Sequence, residues 1–359
     1  MNSSVSDLGT KVRHGQRFTR TEGLTLLREV SLHDLGRWAN LAKERLHGSR
    51  CFYNINRHIN YSNICRCACR FCSFSRRAGE DGAFQLTVDE ILGKAREAQR
   101  AGATELHIVG GVHPDLPFDY YVDMIARLSA LAPSLHLKCF TAVEVDHFAS
   151  LSGLGVEEVL RRLKGVGLGS LPGGGAEVFS ERLRQILFPG KIGADRWLEI
   201  HRIAHHMGLR TNATLLYGHI ETDDEIVQHL CRLRELQDET GGFQAFVPLA
   251  HHPDGNRLGG RGPSGRRSLR IIATARLMLD NFPHVKAYWV TLGLKLAQVA
   301  LSFGANDLDG TVGEEHIAHM AGASSPQELT VKQIQHLIGE TGREAVERTS
   351  LYERRTPCP

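Results

Sequence analysis

The chain has 359 residues, of which 42% are hydrophobic and 23% are charged, and its formal net charge is +3. This composition is typical of a globular protein and excludes a disordered or collagen-like chain, while so small a net charge gives no strong attraction to nucleic acid or a membrane. No run approaches the roughly 18 apolar residues that a membrane-spanning helix needs, and residues 1–20 lack the apolar region of a signal peptide. We therefore expect a cytoplasmic protein without membrane or nucleic-acid partners.

Three regions follow one another along the chain. Residues 1–50 form an N-terminal extension with an amphipathic helix at about 32–46. Residues 51–325 alternate short apolar runs with helical patterns, including helices at 87–100, 194–207 and 222–238. The first and last of these begin at the capping boxes Thr87/Glu90 and Thr222/Glu225. Residues 326–359 are predicted to be a polar helical tail that packs on the central region.

The central region contains eight predicted strands. Strands separated by helices imply right-handed crossovers and a parallel sheet, and eight such units predict an α/β protein with a (β/α)8 TIM-type barrel. An open doubly wound sheet is the alternative. In a barrel, functional groups lie at the C-terminal ends of the strands. The predicted strands are 55–61, 105–110, 136–142, 167–171, 211–217, 243–249, 286–290 and 305–309.

Four of the eight cysteines, Cys65, Cys67, Cys69 and Cys72, fall within eight residues directly after the first predicted strand. In a reducing compartment, clustered thiols indicate metal ligands or redox groups rather than disulfides. The triplet Cys65, Cys69 and Cys72 has the spacing C-x3-C-x2-C, whereas a triplet that begins at Cys67 is too tight for three corners of a cubane. Structural zinc usually takes four ligands in two pairs, and the sequence has no second pair. Three thiolates can hold an iron–sulfur cluster and leave one iron open to a substrate. Plain buried or zinc-binding cysteines are the alternative, and the scattered Cys51, Cys139, Cys231 and Cys358 are predicted to be core or surface thiols.

The motif C-x3-C-x-aromatic-C, carried by Cys65, Cys69, Phe71 and Cys72, resembles the signature of the radical S-adenosylmethionine (radical SAM) superfamily. Longer stretches are similar to its menaquinone and deazaflavin branch, and among these to the aminofutalosine (aminodeoxyfutalosine) synthases of the futalosine pathway. The extra thiol of Cys67 departs from the pattern. The stretches are Asn-Arg-His-Ile-Asn-Tyr at 56–61, Gly-Gly-Val-His-Pro-Asp-Leu-Pro at 110–117, Thr-Ala-Val-Glu at 141–144, Pro-Gly-Gly-Gly-Ala-Glu at 172–177, Gly-His-Ile-Glu-Thr at 218–222 and Gln-Asp-Glu-Thr-Gly-Gly-Phe-Gln at 237–244.

The resemblance implies a [4Fe–4S] cluster on Cys65, Cys69 and Cys72, with SAM bound to the fourth iron. An electron from a donor such as flavodoxin or ferredoxin would cleave SAM to methionine and a 5′-deoxyadenosyl radical. In the aminofutalosine synthases this radical adds to 3-[(1-carboxyvinyl)oxy]benzoate, and aryl rearrangement with loss of the carboxylate carbon gives 6-amino-6-deoxyfutalosine. SAM is then a consumed substrate.

The resemblance also implies which residues surround SAM. Gly110 and Gly111 have no Cβ and would let the methionine end approach the backbone, although a plain strand-to-helix turn is the alternative. Glu144 would accept the ribose hydroxyls with Thr141 beside it, unless it is a surface carboxylate. The adenine would lie against Phe71, Tyr217, His219 and Ile220.

Polar residues on predicted strands suggest a substrate site. Alternation places Asn54, Asn56, His58 and Asn60 on one face of the first strand, and buried polar groups need partners. The same argument selects Ser170, Thr214, Asn212 and Gln244. We nominate His58, Asn56, Asn212 and Gln244 as catalytic, with His58 as the acid–base candidate because its ordinary pKa lies near neutrality. A structural role for His58 is the alternative, and no role is predicted for His251 or His252.

Segment 254–270 is rich in glycine and arginine and predicts a mobile surface loop. Its arginines are either solvated or capture an anion as a lid, and without interleaved aromatics they do not indicate nucleic-acid binding. Two other functions compete with radical addition. One is hydrogen abstraction, as in the cyclic dehypoxanthinyl futalosine synthases or the deazaflavin-forming subunits of the same branch. The other is a non-catalytic metal-binding scaffold.

Overall fold

The computed structural model describes residues 5–355, so Cys358 lies outside the described residues. Seven parallel strands, β2 to β8, form one sheet in chain order, and β1 lies between β10 and β9 in a second parallel sheet. The strands are β1 Arg50–Asn54, β2 Asn56–Ile59, β3 Glu105–Ile108, β4 His136–Cys139, β5 Ser170–Leu171, β6 Arg210–Tyr217, β7 Phe243–Ala250, β8 His284–Val285, β9 Asp307–Gly310 and β10 Glu344–Glu347.

The seven-stranded sheet curls into a half-barrel whose two edges are joined through β9. At one edge, β1 leads into β2 after the single residue Ile55, and β1 pairs with β9. At the other edge, Lys286 follows β8 and forms a parallel bridge with Asp307 of β9. The α/β barrel architecture is therefore confirmed, although its eighth predicted strand lies in the smaller sheet.

Fifteen helices surround the sheets over the described residues. Helices α4 and α10 begin at the predicted capping boxes, in which each threonine side chain accepts from the backbone N–H of the glutamate. The helices are α1 Val5–His14, α2 Arg20–Arg28, α3 Leu32–His47, α4 Val88–Arg100, α5 Phe118–Leu131, α6 Ala142–Ser152, α7 Val156–Gly165, α8 Glu181–Leu187, α9 Ala194–His206, α10 Asp223–Thr240, α11 Gly265–Met278, α12 Trp289–Leu292, α13 Leu294–Ala300, α14 Ile317–Met320 and α15 Val331–Gly339. None of these helices is long and apolar enough to cross a membrane.

Three predicted elements differ from the structure. The predicted strand 286–290 was placed too late, because β8 ends at Val285 and α12 begins at Trp289. Apart from Lys286 this short run is apolar, and it is buried. Periodicity cannot separate a short buried strand from a buried helix. The C-terminal tail contains strand β10 as well as helix α15. Segment 254–270 is only partly a loop, because α11 begins at Gly265 and the buried Arg270 donates to the carbonyl oxygens of Leu26, Leu27 and Val30.

The C-terminal tail closes the end of the barrel at which the strands begin. Strand β10 pairs with β1 and brings in Arg348, whose guanidinium lies 2.6 Å from Asp307 with both side chains fully buried. Arg348 also lies over the ring of Tyr352, which stacks on His284 at 3.7 Å. The functional cavity lies toward the opposite end.

Candidate active site

A cavity of about 330 Å³ opens at the C-terminal ends of the strands, where the barrel prediction placed the functional groups. Its rim is the loop that follows β2 and carries the clustered cysteines, and its middle is lined by apolar side chains such as Val109, Leu216 and Val247. Its deepest part, here called the floor, carries six polar side chains that come from different strands or directly follow them. They are His58, His107, Lys138, Asn212, Lys286 and Asp309.

All four clustered cysteines line the cavity as free thiols. A hydrogen bond with Cys67, together with the Val112 N–H that donates to Cys65 Sγ at 3.3 Å, lowers the pKa of Cys65 to about 5. The same contact and burial raise the pKa of Cys67, whose Sγ lies 3.4 Å from the Gly190 carbonyl oxygen. Cys65 is therefore the more acidic of the two thiols, and Cys67 keeps its proton beside the turn between α8 and α9.

The cysteine loop is fixed by close contacts with backbone. A Cβ on Gly190 would lie 2.8 Å from the Cys67 carbonyl oxygen, and Arg257 donates to the Ala68 carbonyl oxygen at 2.6 Å. A Cβ on Gly111 would lie 2.3 Å from the Ile64 carbonyl oxygen. Gly111 is thus required where the turn after β3 passes the start of the loop.

Two of the predicted catalytic residues reach the floor. His58 stacks on His107 with ring centroids 4.4 Å apart and planes inclined by 15°. Burial lowers the pKa of His58, so its ring is neutral near pH 7. Within residues 5–355, His58 Nε2 and Asn212 Oδ1 have no hydrogen-bond partner. These two atoms are therefore available to a ligand.

The other two predicted catalytic residues do not line the cavity. Asn56 Oδ1 accepts from the Val312 N–H at 2.8 Å and ties β2 to the segment after β9. Gln244 lies where the register between β6 and β7 shifts by one residue, so it leaves the inward face of the strand. The prediction assumed that side chains alternate between the two faces along the whole strand. The irregularity at Gln244 interrupts this alternation.

Some of the residues predicted to surround SAM line the cavity, and others do not. Phe71, Gly110, Gly111 and Thr141 line the cavity. Glu144 is buried in the capping box of α6, where its carboxylate accepts from Tyr61 Oη at 2.7 Å, and burial raises its pKa to about 7. Its second oxygen accepts from the Thr141 N–H at 2.7 Å. A ribose contact would require Glu144 to exchange one of these bonds.

The predicted adenine residues at the end of β6 and directly after it are also absent from the cavity wall. Tyr217 is fully buried, Ile220 is 41% exposed, and His219 Nδ1 accepts from the Ile220 N–H at 2.7 Å. Leu216, one residue before Tyr217, lines the cavity in their place. The adenine assignment of Tyr217, His219 and Ile220 stays a prediction.

Several cavity residues carried no prediction. Lys138 pairs with Glu105 at 2.5 Å and Lys286 with Asp309 at 2.6 Å, and both ion pairs are almost completely buried. His251 was dismissed from sequence, yet it lines the cavity, and its Nε2 has no hydrogen-bond partner among the described residues. A charged residue inside an otherwise apolar strand is the one local signal that could have identified Lys138.

Comparison with known proteins decides the family. Residues 59–233 match the sequence model of the radical SAM superfamily, and residues 240–358 match that of the CofH/MqnC C-terminal region. The aminodeoxyfutalosine synthase of Thermus thermophilus is 47% identical over 96% of this chain and 94% of its own length. The chain belongs to the radical SAM superfamily.

Within this superfamily the chain is also similar to proteins with another name. The 5-amino-6-(D-ribitylamino)uracil–L-tyrosine 4-hydroxyphenyl transferase of Methanopyrus kandleri is 42% identical over 88% of each chain. Among solved structures, methylornithine synthase superposes with a TM-score of 0.75 at 20% identity, covering 94% of this chain and 97% of the other, and supports the fold. The predicted resemblance to aminodeoxyfutalosine synthases and the predicted enzyme class are confirmed.

Radical SAM enzymes use a [4Fe–4S] cluster and SAM, as predicted for this chain. The donor set fits the cluster, because three thiols at the required spacing lie on one loop at the cavity rim. Burial raises the pKa of Cys69 to about 12, and coordination to a metal deprotonates such a thiol. In residues 5–355, no three His, Cys, Asp or Glu side chains are arranged to hold a single metal ion. The assignment of Cys65, Cys69 and Cys72 as ligands remains a prediction.

Segment 311–325, here called the lid, covers part of the cavity of this radical SAM enzyme with Glu315, Ile317, Ala318 and Ala321. His319 Nδ1 lies 3.2 Å from Glu315 Oε2. This hydrogen bond raises the pKa of His319 to about 9, and it lowers the pKa of Glu315 despite the opposing effect of burial. The pair is therefore ionised at neutral pH and holds the turn of α14.

The lid pair predicts a pH dependence of stability. The folded pKa of His319 is above its ordinary value of 6.5, so its contribution is complete below about pH 6.5 and is lost as the pH rises through about 9. The variant His319→Gln should melt below the wild type at pH 6.5, and the difference in Tm should shrink by pH 9.5. Thermal unfolding of both proteins across this range checks the prediction, and a constant difference would contradict it.

Proposed function

We propose that this radical SAM enzyme adds the 5′-deoxyadenosyl group of SAM to the alkene of 3-[(1-carboxyvinyl)oxy]benzoate, releasing methionine, and that aryl rearrangement with loss of the carboxylate carbon gives 6-amino-6-deoxyfutalosine for menaquinone biosynthesis. The observation that carries the proposal is the 47% identity to an aminodeoxyfutalosine synthase over nearly the whole of both chains. The cavity supports it, because thiols line its rim while two lysines, Asp309 and neutral polar groups line its floor. Flavodoxin or ferredoxin is the proposed electron donor, and the cytoplasm is the proposed location.

The bound cluster and SAM would supply a 5′-deoxyadenosyl radical, and the chain would confine it. Cys65, Cys69 and Cys72 would hold the cluster at the rim, and the backbone of Gly110 and Gly111, which lines the cavity there, would lie beside the methionine end of SAM. The apolar side chains between rim and floor would exclude water from the space that SAM and the substrate occupy. His58 and Asn212 would hold the substrate through their unpartnered polar atoms.

Product analysis tests this function. The reconstituted enzyme is reduced without oxygen in the presence of SAM and the enol-ether benzoate, and the products are identified by mass spectrometry. We expect 6-amino-6-deoxyfutalosine and methionine, with little 5′-deoxyadenosine, because the adenosyl carbon enters the product. Formation of 5′-deoxyadenosine without the adduct would contradict radical addition and favour hydrogen abstraction.

A second function is supported by the 42% identity to the 4-hydroxyphenyl transferase. Incubation with 5-amino-6-(D-ribitylamino)uracil and L-tyrosine, the compounds in that relative's name, separates the two. We expect no coupling product from this pair. Coupling without 6-amino-6-deoxyfutalosine would replace the proposed function.

The variant His58→Ala should keep its iron but turn over more slowly. His58 lies at the floor with a free Nε2, so its loss removes a polar contact to the substrate rather than a cluster ligand. We expect a decrease of about 10- to 100-fold in kcat/KM, which corresponds to one buried hydrogen bond. Iron content and single-turnover rates are measured. His136→Ala is the control, because His136 is also a histidine on a barrel strand but bonds Ser170 outside the cavity. Wild-type turnover of His58→Ala would leave His58 with a structural role.

A further inference from the structure

We propose that Lys138 and Lys286, here called the floor lysines, form a carboxylate-binding subsite that takes the aryl carboxylate of the substrate. This inference rests on the proposed function and adds the means by which the cavity selects an anionic benzoate. The two residues come from distant parts of the chain, on β4 and directly after β8, and both line the cavity.

The floor lysines are buried, but their ammonium groups have more hydrogen-bond donors than their ion pairs use. Their side chains are each 3% exposed, and each ammonium pairs with one carboxylate, Glu105 for Lys138 and Asp309 for Lys286. A lysine ammonium has three donors, so each retains donors for a ligand. The paired carboxylates keep the ammonium groups charged and fix their positions, because an unpaired buried charge would be expelled or neutralised.

The depth of the floor fits one end of the substrate. His58, His107 and Lys138 are register partners on β2, β3 and β4. Lys138 and His107 lie on β4 and β3, whereas the rim residues Thr141 and Gly110 come after the ends of these strands, so the floor lies below the rim. The alkene must face the rim, where SAM binds. The ring then extends downward and presents its meta carboxylate to the floor lysines.

The other cation of the cavity lies at the opposite end. Lys191 is 5.4 Å from the Phe71 ring centroid and 2.5 Å from Glu177, beside the cysteine loop. The positive groups that line the cavity are thus divided between the rim and the floor. A purely structural ion pair explains the burial of each floor lysine, but it does not explain why neighbouring floor atoms, His58 Nε2 and Asn212 Oδ1, lack partners within the described residues.

The subsite is tested by comparing two ligands, 3-[(1-carboxyvinyl)oxy]benzoate and its benzamide counterpart, by equilibrium dialysis against the reconstituted enzyme with SAM. The wild type should bind the benzoate about 10- to 100-fold more tightly, the range of one charge-assisted hydrogen bond. The double variants Lys286→Met with Asp309→Asn, and Lys138→Met with Glu105→Gln, remove each ion pair without leaving a lone buried charge. They should lose that preference while SAM binds as before.

Lys43→Met is the matched control, since Lys43 is also buried but bonds the Gly48 carbonyl oxygen away from the cavity. Equal affinity of the wild type for benzoate and benzamide would overturn the subsite without any variant, so a double variant that fails to fold does not weaken the test. Retained preference in folded double variants would overturn it as well. A wild type that neither binds nor converts the benzoate would overturn the proposed function and this subsite together, whereas normal conversion without a carboxylate preference would overturn the subsite alone.

Discussion

Replacing Cys69 with alanine should abolish the iron–sulfur cluster and all turnover, whereas replacing Cys67, two residues earlier, should leave both in place. The spacing of Cys65, Cys69 and Cys72 predicts the three ligands, and the structure holds the Cys67 thiol against the Gly190 carbonyl oxygen. Loss of one of three thiolates leaves a second iron without a protein ligand, and the cluster is then not retained.

Iron and sulfide content after anaerobic reconstitution measures this effect, and circular dichroism checks that both variants fold. Cys67 is the matched control because it lies on the same loop and is as buried as Cys69. A cluster that survives in Cys69→Ala, or disappears in Cys67→Ala, would show that the ligand set was assigned wrongly.

The second large effect is expected from Gly173→Ala in the Pro-Gly-Gly-Gly turn after β5. Gly173 has φ = +84°, and a Cβ there would lie 1.9 Å from the Asn212 carbonyl oxygen on β6. Positive φ costs a non-glycine residue about 1–3 kcal/mol, and overpacking costs about 1–3 kcal/mol more. We expect the free energy of unfolding to fall by roughly 2–6 kcal/mol, and substrate affinity to fall as Asn212 moves.

Gly174→Ala is the control for this turn. A Cβ on Gly174 meets only the Thr141 methyl group at 3.1 Å, and its φ is not positive. It should change stability by less than about 1 kcal/mol. Denaturant unfolding of the two variants gives the comparison, and equal losses of stability would show that the close approach of the Asn212 backbone does not require glycine at position 173.

Sequence patterns predicted those features of the structure that depend on residues close together in the chain. The cysteine spacing and the capping boxes at Thr87 and Thr222 each lie within a few residues, and their geometry follows from the sequence alone. Thr141 and Glu144 show the limit of such patterns, because the residues predicted to contact the ribose of SAM form a capping box in this structure. In this structure the Glu144 carboxylate belongs to the capping box, and the sequence alone does not tell which of the two roles it takes.

Features that depend on distant parts of the chain escaped prediction. Strand β10 forms only because β1, nearly 300 residues earlier, offers an edge, and four residues of Glu-Ala-Val-Glu carry no strand signal of their own. The floor lysines meet only after the sheet curls, and the misplaced Gln244 follows from a register shift between β6 and β7. Long-range register decides these positions, and periodicity within a segment contains no information about it.

The most direct test of the account is Mössbauer spectroscopy of the wild type reconstituted with 57Fe, recorded with and without SAM. Three cysteine ligands on a four-iron cluster leave one iron for SAM, so one quarter of the iron signal should change when SAM is added. Four iron sites unaffected by SAM, or a single bound zinc in their place, would contradict the account.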